Sequence, residues 1–189
     1  TTEIYTLSLH DALPIWEFFE VFTAAAHGGW VVVPVNWHWV ADELAYVIQN
    51  SGSRAVLVDE RFVEVAVAAR QDERSGSCDR WIVIGSAAGA ALPEGFLRWE
   101  ELLDDASSDT PAEQFMGGPM FYTSGTTGKP KGTVHSHCGF LTKVALDFGL
   151  ILDLQPDDRM LWMSDMGWLT GPILGVAAPL IGATLVLVE

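Results

Sequence analysis

Residues 30–59 read WVVVPVNWHWVADELAYVIQNSGSRAVLVD and have the pattern of a strand, a helix and a second strand. The run 30–35 is continuous in apolar, mostly β-branched residues, which is typical of a strand covered on both faces. Residues 41–52 carry an apolar stripe at helical spacing, acidic residues in the first turn and a glycine stop, so they predict a helix. Residues 54–59 predict the second strand. This order with short connections favours a parallel pair.

The same alternation continues towards the C terminus. It predicts a helix at 61–71, strands at 80–85 and 119–124, a helix through Phe140, Val144 and Phe148, and two last strands at 159–163 and 183–188 on either side of a segment at 172–181. A polar linker is predicted at 104–114. We therefore predict an α/β fold, a mostly parallel sheet flanked by helices on both faces.

The charge of the chain limits its partners. The 189 residues include 10 basic and 25 acidic side chains, a formal net charge of -15. Hydrophobic residues make up 49% and charged residues 19%, a balance that excludes a disordered chain. An acidic surface repels phosphate backbones, so nucleic acid is not an expected partner. A polyanion could bind only where donors and cations are concentrated locally.

The two cysteines, Cys78 and Cys138, lie too far apart for a zinc knuckle and are too few for a disulfide framework. They predict two reduced, buried thiols and a cytoplasmic protein. The stretch 135–138 (HSHC) alternates residue types that bind metals, but no second cluster completes a tetrahedral shell. No metal site is predicted from the residues.

Residues 1–15 read TTEIYTLSLHDALPI and lack the basic start and long apolar stretch of a signal peptide. The string resembles translated sequencing adaptors. We therefore predict that it is a non-native leader and leave it out of the fold prediction.

Residues 168–188 form a run of 21 positions without a charge, long enough to cross a bilayer. Pro172 suits the first turn of a helix, and Gly182 suits a stop before a strand. A buried helix followed by a buried strand explains the same apolarity. We predict this arrangement and no membrane span.

Residues 123–132 read TSGTTGKPKG and form what we call the glycine-rich segment. Glycines let backbone N–H groups turn towards an anion, hydroxyls add donors, and lysine adds charge, a combination that suits a polyphosphate. Such a site is expected between a strand and a following helix. The candidate residues for binding a polyphosphate, which the resemblance described below identifies with the phosphates of ATP, are Thr123, Ser124, Gly125, Thr126, Thr127, Gly128, Lys129, Lys131 and Gly132.

The glycine-rich segment does not have the Walker A pattern, which requires G-x-x-x-x-G-K followed by Ser or Thr. Gly128 and Lys129 match its end, but Thr123 stands at the position of the first glycine. Pro130 replaces the hydroxyl that would hold magnesium and has no N–H to donate. The pattern therefore excludes a kinase or GTPase cradle.

Three stretches resemble one known family. Residues 122–132 (YTSGTTGKPKG) resemble the signature sequence of the adenylate-forming superfamily, which includes acyl-CoA synthetases, amino-acid adenylation domains and luciferases. Residues 28–59 are similar to the segment of acyl-CoA synthetases in which a strand ends in P-x-N before an E-L-x-Y helix. Residues 163–189 resemble the D-x-G-W-x-T-G stretch of acetyl-CoA synthetases. The resemblance extends over 17–189.

The resemblance implies that 16–189 form part of an AMP-binding N-terminal domain, truncated before the adenine and ribose motifs and the C-terminal domain. It implies a ligase of fatty acid metabolism that joins a small carboxylate, of short or medium chain, to coenzyme A, using ATP and Mg²⁺. Lys131 is then the residue that stabilises phosphate charge. A fragment lacking the later motifs is expected to be inactive alone.

The resemblance also assigns Trp168, Leu169, Thr170 and Gly171 to the acyl pocket and the approach of coenzyme A. Trp168 could equally be a core residue. Leu169 stands where acetyl-CoA synthetases carry Val, and Pro172 where they carry His, so acetate itself is not predicted.

Two other functions share the signature. An amino-acid adenylation domain would pass its product to a carrier protein, and a non-catalytic module would bind a nucleotide without chemistry. Asp165 fits either a pocket carboxylate or a helix cap, and the cap is favoured.

Overall fold

The computed structural model describes residues 6–10, 15–36, 38–110, 115, 117–123, 131–161 and 169–187. The strands are β1 (Thr6–His10), β2 (Val31–Val35), β3 (Ala55–Asp59), β4 (Arg80–Ile84), β5 (Phe96–Arg98), β6 (Gly118–Thr123), β7 (Lys131–Val134), β8 (Arg159–Leu161) and β9 (Thr184–Val186). The α-helices are α1 (Ile15–Gly28), α2 (Ala41–Ser51), α3 (Val63–Arg70), α4 (Trp99–Asp104), α5 (His137–Ala145) and α6 (Thr170–Ile181). Two 3₁₀ turns (Glu60–Phe62, Glu73–Ser77) and a π-helical turn (Leu146–Ile151) complete the elements.

Seven strands form one sheet in the order β5-β4-β3-β1-β2-β6-β7, and β8 pairs with β9 in a second, two-stranded sheet. All the pairs in both sheets are parallel except β6 with β7. The predicted α/β fold with a mostly parallel sheet is confirmed. The predicted strands at 30–35, 54–59, 80–85 and 119–124 are found within one residue of their expected bounds.

Helix α2 shows why the sequence pattern is decisive here. Its apolar stripe is buried, including Leu44 and Ile48, and the Glu43 carboxylate accepts a hydrogen bond from the Val40 N–H at 3.1 Å. The helix ends at Gly52, whose φ of 68° is a left-handed conformation that glycine adopts without steric cost. The stripe, the acidic first turn and the glycine stop were predicted from local sequence, whereas the hydrogen bond between Val40 and Glu43 was not.

The sheet is covered on both faces because its central strands alternate buried residues between two cores. On β3, Val56 and Val58 join the cluster under α2 and α3, whereas Leu57 joins the cluster under α1. A third cluster links β6, α5, α6 and the small sheet through Phe121, Phe140 and other apolar residues. The segment at 170–187 is the predicted helix and strand, with Gly182 in the left-handed conformation. No helix in the described ranges is long and apolar enough to cross a membrane.

The leader that the fold prediction left out contributes a central strand. The backbone of β1 (Thr6–His10) lies between β2 and β3 and pairs with both in parallel. Sheet order depends on which backbone fills a gap between two strands, and local sequence does not report it. That residues 1–15 are a non-native leader remains a prediction.

Besides β1 and β7, the structure contains α1, the short β5–α4 unit and the π-helical turn, none of which was predicted. The β5–α4 unit is held to the preceding loop by Arg98, which is 5% exposed. Its guanidinium donates to the carbonyls of Ser86, Ala87 and Ala90 at 2.9, 2.9 and 2.6 Å, and also to the Ser86 hydroxyl. One buried cation thus organises the loop between β4 and β5.

We expect Arg98→Met to lower the free energy of unfolding by about 2 kcal/mol, because three carbonyls lose their donor together. Chemical denaturation of the two proteins measures the difference. Arg80→Met, at an exposed position, is the matched control and should change stability by no more than about 0.5 kcal/mol. Equal effects of the two substitutions would contradict the role assigned to Arg98.

Candidate functional site: the β6–β7 hairpin

The glycine-rich segment is held at its base by two antiparallel strands. Strand β6 pairs with β7 so that Thr123 lies opposite Lys131 and Tyr122 lies opposite Gly132. Residues 124–130, between the paired ends, lie outside the described residues. The two ends of the segment are therefore fixed next to each other.

The expected strand-to-helix connection is wrong in one respect. Strand β7 intervenes, and α5 begins only at His137, after the hairpin has closed. The N terminus of α5 is capped by the Ser136 hydroxyl, which accepts from the Gly139 N–H at 3.2 Å. The backbone groups of residues 131–134 (KGTV) form their hydrogen bonds by pairing with β6. The glycine-rich segment therefore joins two strands and does not lead directly into a helix.

One face of the hairpin is packed against α5. Phe121 is 7% exposed, and its ring centroid lies 5.4 Å from that of His135 and 6.1 Å from that of Phe140. His135 thereby serves as a packed aromatic residue beside the hairpin. In the described part of the chain no group of three or more His, Cys, Asp or Glu could hold a metal ion.

The other face of the hairpin is tied to α2. The Tyr122 hydroxyl donates to the Asn50 side-chain oxygen at 2.7 Å, across 72 positions of sequence. Burial raises the pKa of Tyr122 to about 12, with a further increase from Tyr46 and an opposing hydrogen bond from Ser51. The phenol consequently stays protonated and able to donate. Sequence reasoning missed this pair because no local pattern connects a strand residue to a distant helix end.

Gly132, predicted to bind phosphate, has a packing requirement of its own. A Cβ atom there would lie 2.2 Å from the Met120 methyl and 2.9 Å from Cζ of Tyr122. Only a residue without a side chain lets these two groups cover the backbone of β7. Packing within the hairpin therefore explains why residue 132 is glycine, independently of any contact between its N–H and a ligand.

Lys131 is the described cation of the glycine-rich segment, and it is exposed on β7 at the edge of the sheet. Its partner in the register is Thr123, the last residue of β6. The predicted ligands at positions 124–129 (Ser124, Gly125, Thr126, Thr127, Gly128, Lys129) lie outside the described residues. The structure therefore places the base of the predicted site and its lysine.

The predicted acyl and coenzyme A residues fall at the start of α6. Leu169 is exposed, Thr170 is half-buried and Gly171 is buried, whereas Trp168 lies outside the described residues. Helix α6 shares the third core cluster with Phe121 of β6, so the helix and the hairpin are connected through packed side chains. The described contacts do not test a role for these residues in binding.

A small apolar cavity of about 60 Å³ lies near the beginning of β6. It is lined by Phe22, Ala26, Val32, Gly117, Gly118, Pro119, Phe140, Leu141 and Val176. None of the predicted site residues that the structure describes borders it, and it lies at the end of β6 away from the glycine-rich segment. The cavity is therefore separate from the described residues of the candidate site.

Comparisons with known proteins agree with the fold, an α/β domain with a mostly parallel sheet. The family described as AMP-binding enzyme matches residues 12–189. The chain belongs to this family.

The acetyl-coenzyme A synthetases to which this chain is similar are longer proteins. The acetyl-coenzyme A synthetase of Coprinopsis cinerea is 32% identical over 187 residues, a match that covers 92% of this chain and 28% of that protein. The acetyl-coenzyme A synthetase of Marinomonas sp. (strain MWYL1) is 42% identical over 91 residues, covering 47% and 14%. The chain thus spans less than a third of the length of these relatives.

Two solved structures have the same fold. The N-terminal domain of FACL13 from Mycobacterium tuberculosis, solved with an inhibitor, superposes with a TM-score of 0.80 at 28% identity, covering 96% of this chain and 43% of that one. Acetoacetyl-CoA synthetase from Streptomyces lividans gives a TM-score of 0.79 at 25% identity, covering 96% and 29%.

Proposed function

We propose that this chain is the ATP-phosphate-binding part of an acid–thiol ligase that makes acyl-CoA and releases AMP and pyrophosphate. The observation that carries the proposal is the hairpin, which brings Thr123 and Lys131 together at the base of a segment rich in glycine and hydroxyl groups. Family membership and the names of the relatives support the same reaction class. The proposed cellular setting is the cytoplasm.

The reaction proceeds in two displacements. A carboxylate oxygen attacks the α-phosphorus of ATP, and the bond to the pyrophosphate oxygen breaks. The thiolate of coenzyme A then attacks the acyl carbon, and the carbon–oxygen bond to AMP breaks. Negative charge accumulates on pyrophosphate in the first step, where positioned donors lower the barrier.

The residues of this chain act in the first displacement. Backbone N–H groups and hydroxyls of 123–129 would hold the β- and γ-phosphates, and Lys131 would offset the charge on the leaving group. Mg²⁺, which the family generally uses with ATP, would supply further charge neutralisation. The described residues contain no carboxylate cluster that fits the metal, so none of them is assigned to it.

The acyl acceptor and the acyl chain form the finer part of the proposal. The similarity of residues 163–189 to the acetyl-CoA synthetase stretch supports coenzyme A over a carrier protein. Leu169, Thr170 and Gly171 at the start of α6, with Trp168 before them, are proposed to meet a short or medium acyl chain and the pantetheine arm. Leu169 and Pro172 argue against acetate.

A titration of the isotope-labelled chain tests the phosphate site. We expect MgATP and magnesium tripolyphosphate to shift the amide signals of 123–132, whereas AMP should leave them in place because it lacks the β- and γ-phosphates. Signals of α3, which packs beside α2 and β3, serve as the internal control. The same sample should release no measurable pyrophosphate when a carboxylate and coenzyme A are added.

Each outcome has a distinct meaning. Unmoved signals at 123–132 with both triphosphate probes would refute the phosphate site. Steady pyrophosphate release would refute the prediction that this chain is inactive alone. Phosphate binding without turnover in a longer protein that contains this chain would favour the non-catalytic module, and transfer to a carrier protein would favour the adenylation domain.

A further inference from the structure

Phosphate binding alone does not explain the hydrogen bond between the Tyr122 hydroxyl of the hairpin and the distant side chain of Asn50. Tyr122 directly precedes the glycine-rich segment on β6, and Asn50 lies in the last turn of α2. Their side chains meet at 2.7 Å between the phenol oxygen and the amide oxygen. The hydrogen bond joins the base of the candidate site to an element outside it.

Helix α2 is a firm anchor for such a bond. Four of its residues are 0–1% exposed, and three of them, Leu44, Val47 and Ile48, pack into the core cluster under the sheet. Met120 and Tyr122 pack against the same cluster from β6. The end of α2 therefore has a fixed position relative to the sheet, and the hydrogen bond transmits that position to the hairpin.

The ring and the hydroxyl of Tyr122 have separable roles. The ring lies over Gly132 of the paired strand, where a Cβ would be 2.9 Å from Cζ. This packing would persist with phenylalanine. The hydroxyl adds the hydrogen bond to Asn50 and the one with Ser51, so Tyr122→Phe removes both and keeps the ring, whereas Asn50→Ala removes the first alone.

We propose that Tyr122 is a positioning residue, whose hydrogen bond to Asn50 fixes the orientation of the paired strands β6 and β7 and thereby aims Lys131 at a polyphosphate. This proposal depends on the phosphate site proposed above. It predicts that the bond affects phosphate affinity more than global stability, because the core on either side of β6 does not include the hydroxyl.

The test compares Tyr122→Phe, Asn50→Ala and the double variant with the unmodified chain. Calorimetric titration with magnesium tripolyphosphate should show affinity about threefold to tenfold lower for each single variant, the factor expected for one hydrogen bond. The double variant should be no weaker than Tyr122→Phe, because that substitution already removes the bond to Asn50. Gln49→Ala, an exposed amide one position away, is the matched control and should bind normally.

Amide exchange provides a readout that does not require a ligand. In Tyr122→Phe and Asn50→Ala, the paired amides of β6 and β7 should exchange faster, while those of β3 and β4 stay protected. Asn50→Asp keeps an acceptor oxygen and should retain slow exchange in the hairpin. Rescue by this conservative variant distinguishes the hydrogen bond from loss of packing.

The results separate the two proposals. If the unmodified chain fails to bind tripolyphosphate, the phosphate site is refuted and the positioning role with it, while the exchange data still report whether the bond holds the hairpin. If the unmodified chain binds but Tyr122→Phe binds equally well, or the two substitutions are additive, the positioning role alone is refuted.

Discussion

Lys131→Met should lower pyrophosphate-forming turnover about 100-fold to 1,000-fold in a full-length enzyme that carries this segment. Methionine preserves an unbranched side chain but removes the cation that would face the leaving group. The backbone of β7 pairs with β6 through Lys131 and its neighbours irrespective of the side chain, so the hairpin should remain. Pyrophosphate release under saturating carboxylate and coenzyme A measures the effect.

Lys143→Met is the control for the loss of one positive charge. Lys143 lies on α5 and forms an exposed ion pair with Asp147 four residues later, an interaction worth only a few tenths of a kcal/mol. We expect the turnover of the Lys143→Met variant to match that of the unmodified enzyme. Unchanged turnover in Lys131→Met would show that this lysine does not stabilise phosphate charge, and unfolding of the variant would be detected independently by its melting temperature.

Deletion of residues 1–10 should abolish cooperative unfolding of the 189-residue chain, or lower its melting temperature by more than about 10 °C. The deletion removes β1 (Thr6–His10), which pairs with Val31–Val35 on one side and with Ala55–Leu57 on the other. Both neighbouring strands would then expose unpaired backbone groups in the centre of the sheet, where each lost hydrogen bond is costly. Circular dichroism during heating measures the change.

Removal of residues 187–189 is the corresponding control at the other end. These residues follow β9, so the deletion removes no residue of a described strand. We expect the melting temperature to stay within a few degrees. If the N-terminal deletion also has no effect, β1 contributes no stability, a result that would agree with a leader foreign to the fold.

Much of the fold was predictable because the relevant signals are local. The stripe of α2, its acidic first turn and Gly52 lie within one short stretch, and so do the apolar runs of β2, β3 and β4. Helical and strand periodicities encode which face of an element is buried. The glycine-rich segment was recognised for the same reason, because its donors and lysines lie within one short stretch of sequence.

The remaining features depend on distant partners. Strand β7 was missed because KGTV is short and mostly exposed, and it becomes a strand only by pairing with β6. The buried state of Arg98 follows from carbonyls of a loop that precedes it, which sequence patterning does not reveal. The Tyr122–Asn50 bond joins residues that no motif connects.

The order of residues alone determined the α/β class, the alternation of its elements and the segment suited to a triphosphate, because periodicity and donor chemistry act over a few neighbouring positions. Tertiary structure decided that the segment closes an antiparallel hairpin, that the hairpin is tied to α2, and that β1 fills the centre of the sheet. These outcomes follow from which backbone groups and side chains find partners in space, and chain order does not specify those partners.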